Sequence, residues 1–113
     1  MHMGFKSKMT GNVVIVSIEG QIDAVTGPEL TEFLQAQMKD QINLVADFSK
    51  VDFISSAGLR VLLGTVKDAR RQGGDLRLAS VHEDVNKVLS VTGFTRIMKI
   101  FSDVEEAVES YSS

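Results

Sequence analysis

A single α/β domain with a mixed, largely parallel sheet, in the order β-β-α-β-α-β-α-β-α, is the architecture this sequence predicts. Three observations lead there. Short runs rich in β-branched residues alternate with segments whose apolar residues recur at three- and four-residue spacing. The first two runs are separated by a turn signal alone, as in a hairpin, whereas the later ones are separated by helix-length segments, as parallel strands require. The 113 residues suffice for one hydrophobic core but not for a core plus a separate substrate domain, and no repeat or linker divides them.

Each element follows from local chemistry. "FKSKMT" alternates apolar with polar residues and runs into Gly11 and Asn12, as the antiparallel partner of "NVVIVSIEG", Asn12 to Gly20, would. After "QIDAV", Thr26 followed by Pro28 and Glu29 predicts a helix start with threonine as cap and glutamate three residues on. Leu30, Phe33, Leu34 and Met38 then fall at helical spacing. "INLVADFS" is a continuous apolar run suited to a central strand. In "FISSAGLRVLL", Phe53 to Leu63, two serines stand at the entry to a second helix, whose Leu59, Leu62, Leu63 and Val66 form one buried face. Gly73 and Gly74 end that helix near Gln72. "DLRLAS" alternates as a strand, and "HEDVNKVLSVTG" is a short helix with Val85, Val88 and Leu89 inward. "IMKIF" is the last strand. Ser102 with Glu105 forms a second capping box opening a final helix through Val108 and Tyr111.

Composition narrows the function. Apolar residues make up 43% and charged residues 24%, and no stretch approaches the ~20 apolar residues of a membrane span, so no membrane insertion is expected. The absence of cysteine rules out a disulfide framework and a catalytic or metal-binding thiolate, and fits a reducing compartment. A net charge of −3 with scattered Lys and Arg offers no basic stripe, so nucleic acid is not an expected direct partner. No signal-peptide pattern opens the chain, and a cytoplasmic location is expected; "MHM", residues 1–3, reads as an initiator with a cloning scar, and His2 is given no role.

Ser55 and Ser56 raise the functional question. A serine at this junction can simply cap the helix, a role that contributes about 0.5 to 2 kcal/mol. It can be the nucleophile of a G-x-S-x-G elbow, but Phe53 or Ile54 stands where the first glycine belongs. Only His2 and His82 could serve as base, and His82 reads as a solvated or capping residue at the start of the third helix. An aspartyl phosphoreceiver built on Asp47 would need clustered carboxylates for a divalent ion. Glu19, Gly20 and Asp23 supply no adjacent acidic pair, and Asp23, Asp47 and Asp52 read as turn and loop carboxylates, so no metal is expected. A phosphate suits the position better: free N–H groups and the positive end of the helix dipole favour an anion there. A phosphoserine would be tolerated by the fold, while its charge of about −1.5 to −2 would alter any surface docking over that turn.

These residues also carry a resemblance. "FSKVDFISSAGLRVLL" resembles the signature of the STAS domain found in bacterial anti-sigma factor antagonists, and the likeness continues through "VSIEGQIDAVTGPEL" and the "GG-x-L-x-L" before the fourth strand. The resemblance implies a STAS-like domain over residues 1–113 that is no enzyme and needs no cofactor. It implies a partner switch in which the unphosphorylated form binds an anti-sigma factor serine kinase and frees the sigma factor, phosphorylation abolishes binding, and a serine phosphatase resets the protein. By position the acceptor is Ser56. The family commonly has Asp before the acceptor where this chain has Ser55, which makes Ser55 a second candidate. The implied docking surface comprises Asp23, Ser55, Ser56, Ala57, Gly58 and Arg60. Two alternatives stand beside it: a STAS scaffold or accessory subunit of a transporter or sensory complex with the serine only a cap, and a small-anion or nucleotide-binding protein using the same helix terminus.

Overall fold

In the computed structural model, residues 4–112 are described; the "MHM" of residues 1–3 and the final serine lie outside the described residues. The elements are β1 (Gly4–Thr10), β2 (Val13–Ile22), α1 (Gly27–Met38), β3 (Asn43–Ile54), α2 (Ser56–Arg71), β4 (Asp75–Ala79), α3 (Glu83–Val91), β5 (Ile100–Phe101) and α4 (Val104–Glu109). Their order matches the sequence prediction. The strands lie in one sheet in the order β1-β2-β3-β4-β5. The hairpin pair β1 and β2 is antiparallel and every other pair is parallel.

Side-chain alternation along the strands sets up two unequal faces. On one, Val14, Val16 and Ile18 of β2, Leu44, Ala46 and Phe48 of β3, and Leu76 and Leu78 of β4 meet three helices. These contribute Leu30, Leu34 and Met38 from α1, Leu59, Leu62, Val66 and Ala69 from α2, and Val85 and Leu89 from α3. On the other, the buried Val13, Val45 and Ala79 pack under α4 through Ala107, with Tyr111 at the margin. Burying a leucine of the first face contributes about 1.5 to 3 kcal/mol. That is ample to hold α2, whose apolar stripe is one of the strongest in the chain, at a fixed rotation.

The glycine pair ends α2 as expected. Gly73 takes a left-handed conformation at φ +94°, its N–H donates to the Arg70 carbonyl, and the Gly74 N–H donates to the Ala69 carbonyl at 2.8 Å. This is the two-bond Schellman closure, in which a side chain at the left-handed position would be strained. Asp75 follows, 5% exposed. Its carboxylate accepts from Arg70 Nε at 2.9 Å and Arg77 Nε at 3.1 Å, the pairing a buried charge requires. Arg77 stacks over the Tyr111 ring at 3.9 Å. The Tyr111 hydroxyl lies 2.7 Å from the Leu44 carbonyl and 2.8 Å from that of Asp75, so the C-terminal segment is pinned to the sheet. Burial, with the nearby Asp75 carboxylate, pushes the Tyr111 hydroxyl pKa well up.

Several local expectations are corrected. The Thr26 hydroxyl does not cap α1: it donates to the Gln21 carbonyl at 2.7 Å and accepts from the Asp23 N–H, because the preceding loop turns back on itself. The C-terminal capping box is shifted by one residue. Asp103 is the cap, accepting from the Glu106 N–H at 2.8 Å, and Glu106 rather than Glu105 reaches back to the Ser102 N–H. "IMKIF" is mostly not strand: a 3-10 turn at Phe94–Arg96 precedes it, Met98 is buried in the core, and only Ile100 and Phe101 pair with β4. The central strand is longer than the expected run "INLVADFS", continuing past Ser49 through Lys50 to Ile54, while Leu63 is only half-buried.

Candidate functional site

Two β-bulges assemble the serine end of the domain. The β2 and β3 registers slip between Ser17 and Glu19 and again between Gly20 and Gln21, after which Gln21 pairs with Phe53 and Ile22 with Ile54. Gly20 absorbs the second slip at φ +118°, a conformation that favours glycine. The two strands therefore finish side by side, and the Ser55 N–H donates to the Ile22 carbonyl at 2.9 Å. The residue following each strand end, Asp23 on one and Ser55 on the other, is brought to the same edge of the molecule.

The two serines then separate in role. Ser55 has extended backbone, φ −96° and ψ 175°, and stands at the N-cap, where its Oγ accepts from the Gly58 N–H at 3.2 Å and its carbonyl accepts from the Leu59 N–H at 2.9 Å. Ser56 is the first helical residue, is exposed, and among the described residues its hydroxyl makes no hydrogen bond. Helix geometry leaves the N–H groups of Ser56 and Ala57 without a carbonyl one turn earlier, so the turn is a region of positive potential. Arg60, one turn on, is exposed and, among the described residues, forms no ion pair.

Asp23 organises the facing loop. Its Oδ1 accepts from the N–H groups of Val25 at 2.9 Å and Thr26 at 3.0 Å, and lies 3.2 Å from the Thr26 hydroxyl oxygen. The Thr26 N–H in particular holds the carboxyl below its ordinary pKa. The loop leads into Gly27, whose position allows only a close contact with Val61 of α2: a Cβ there would lie 3.3 Å from the Val61 side chain.

Gly58 differs from the other candidates in being buried. A Cβ at that position would lie 2.6 Å from the Ile22 carbonyl oxygen and 2.8 Å from side-chain carbons of Ile22 and Ile54. Its absence of a side chain lets α2 seat directly on the ends of β2 and β3, which fixes where Ser56 emerges. Asp23, Ser55, Ser56, Ala57 and Arg60 remain wholly or partly accessible. Sequence reasoning missed Val25 and Phe53, large apolar side chains 83% and 47% exposed. They belong to the two segments joined by the Ser55–Ile22 bond, and their signal in the sequence was apolar character just outside an otherwise periodic pattern.

The remaining sequence candidates take structural roles. Asp47 and Asp52 lie within β3 rather than in turns or loops, and Asp47 accepts from the Ser49 N–H at 3.0 Å. His82 is the N-cap residue of α3, and its Nε2 contacts the Ser49 carbonyl, joining that helix to β3. Among the described residues no three His, Asp or Glu side chains gather as a metal site would require, and no helix is long and apolar enough to cross a membrane.

A compact α/β domain in which a serine-bearing helix start and an Asx loop share one edge of a five-stranded sheet is the class defined so far. The STAS domain family model matches residues 5–107, and the chain belongs to that family. It is 30% identical over 109 residues to the anti-sigma-B factor antagonist of Bacillus subtilis strain 168, covering 96% of this chain and all of that one. Among solved structures, an anti-sigma factor antagonist from Mycobacterium paratuberculosis superposes with a TM-score of 0.90 at 24% identity, over 99% of this chain and 96% of that one. The Bacillus cell fate determinant SpoIIAA superposes over 96% of this chain in two structures. Its unphosphorylated form gives a TM-score of 0.80 at 20% identity and 96% of that chain, and its phosphorylated form 0.72 at 19% and 99%. At these identities the three superpositions show the fold alone.

Proposed function

We propose that this protein is an anti-sigma factor antagonist working as a phosphorylation-controlled partner switch in the cytoplasm. Unphosphorylated, it docks an anti-sigma factor serine kinase through the edge formed by Asp23, Ser55, Ser56, Ala57 and Arg60, with Gly58 seating the helix beneath, and the sigma factor is released. Phosphorylation of Ser56 ends the complex, and a serine phosphatase restores it. The protein contributes binding, not catalysis. The observation that carries the reading is the division of labour between the serines: the Ser55 hydroxyl is engaged as the cap, whereas the Ser56 hydroxyl is exposed and uncommitted at the first helical position. A relative bearing the antagonist name, aligned over 96% of this chain, supports it.

The switch is electrostatic. A neutral hydroxyl at an interface costs little to desolvate, whereas a phosphate carries nearly two charges that the partner surface must pair or leave uncompensated. The fold need not change, because the helix start favours a negative group. Incubation with the cognate anti-sigma factor kinase and ATP, followed by intact-mass and fragment spectra, tests the assignment. One phosphate on Ser56 is expected; phosphate on Ser55 alone, or none from a kinase shown to bind, contradicts it.

A further inference from the structure

We propose that the kinase-binding surface extends from Ser56 along α2 into a groove between α1 and α2, and that Gly64 forms the floor on which a segment of the same kinase packs against helix backbone. The proposal rests on the partner-switch reading above and assigns a contact beyond the serine motif. Its starting point is a glycine the fold does not need. Gly64 sits in the middle of the sixteen-residue helix α2, where glycine is among the least favourable residues because of the backbone entropy it loses and the backbone it leaves open to water. Four other glycines of this chain are explained by the structure. Gly58 is forced by the Ile22 carbonyl, Gly74 by contact with the Ile42 carbonyl, and Gly73 and Gly93 by positive φ. Gly64 has none of these reasons: its φ is not in the left-handed region, it is exposed, and a Cβ built on it meets nothing within 4 Å.

The surroundings indicate what the open backbone faces. Gly64 lines a groove of about 230 Å³ with Arg60, Val61 and Asp68 on α2 and Thr31 and Gln35 on α1. The buried Thr65 beside it turns its hydroxyl back to the Val61 carbonyl at 2.9 Å and so presents no polar group to the groove. Ser56, Arg60 and Gly64 recur at four-residue spacing and therefore share one face of α2. Arg60 belongs both to the serine edge and to the groove, so the two surfaces are continuous. From Ser56 to Gly64 the helix rises about 12 Å, well inside the footprint of a partner burying roughly 800 Å² on each side. A kinase domain that docks over Ser56 and extends along this face of α2 reaches Gly64, where a residue without a Cβ permits close approach.

Calorimetric titration of the cognate anti-sigma factor kinase into wild type, Gly64→Ala, Gly64→Gln, Gln35→Trp and Ser56→Asp, with a melting curve for each, tests the proposal. Gly64→Ala and Gly64→Gln should raise Tm by a few degrees, since the added side chain improves helix propensity in open space. Gly64→Gln, and Gln35→Trp filling the groove from the α1 wall, should weaken binding by about tenfold or more, with Gly64→Ala between them and wild type. A fall in Tm for Gly64→Ala would show that the fold itself needs this glycine and would overturn the proposal. Wild-type affinity for Gly64→Gln and Gln35→Trp, with weakened binding of Ser56→Asp, overturns the groove contact while leaving the switch intact. Wild-type affinity for all of them overturns both.

Discussion

Replacing each serine by alanine in turn separates the structural hydroxyl from the functional one. Ser55→Ala deletes the acceptor of the Gly58 N–H, a bond of 3.2 Å at a half-buried cap, and the loss of a serine cap costs about 1 kcal/mol. Ser56→Ala removes an exposed hydroxyl with no partner among the described residues and introduces the best helix former, so its cost lies within about 0.5 kcal/mol of zero. Scaling an unfolding entropy of about 2.1 cal/mol/K per residue to this chain, 1 kcal/mol corresponds to roughly 4 °C in Tm. Thermal melts by circular dichroism, checked by urea titration with an unchanged m-value, should place Ser55→Ala about 4 °C below wild type and Ser56→Ala within about 2 °C of it. A Ser56→Ala protein that melts at or below Ser55→Ala would refute the assignment of the cap, and with it the argument that Ser56 is the free hydroxyl.

Two further outcomes follow from the same end of the molecule. Gly58→Ala places a methyl group against the Ile22 carbonyl and two core side chains; the overpacking cost of about 1 to 3 kcal/mol exceeds the gain in helix propensity. Its urea midpoint should fall, and a midpoint at or above wild type would mean that α2 is not seated as described. The Asp23 carboxyl, held below its ordinary pKa of 3.8 chiefly by the Thr26 N–H, contributes stability that is present above 3.8 and lost as pH falls through the lower folded value. The stability difference between wild type and Asp23→Asn should therefore shrink on acidification through that range, and a difference that grows would contradict the Asx-loop geometry.

How far the sequence foretold this structure depends on the range of the interaction involved. Element order was legible because it rests on local periodicity, as in the Leu59, Leu62 and Val66 stripe of α2, and the Gly73–Gly74 stop was legible because a left-handed closure has a local residue signature. The caps of α1 and α4 were misplaced because several residues could donate or accept there. The Thr26 hydroxyl was drawn to the Gln21 carbonyl by the loop, and Asp103 outcompeted Ser102 by one position. The full extent of β3 was hidden because Ser49, Lys50 and Asp52 interrupt its apolar run, and its continuation depends on bulged pairing with β2. At the site, the motif exposed both serines but could not divide their roles, since that division follows from which of them has extended backbone. The need for glycine at position 58 was equally invisible locally, because the obstructing carbonyl belongs to Ile22, thirty-six residues earlier.

The affinity of the cognate anti-sigma factor kinase for the unmodified protein and for protein enzymatically phosphorylated on Ser56, measured side by side by titration calorimetry, tests the phosphoswitch most directly. Leaving a phosphate unpaired in a docked interface costs a few kcal/mol, so the phosphorylated form should bind on the order of a hundredfold more weakly, with its melting behaviour still that of a folded domain. Equal affinity of the two forms would contradict the switch.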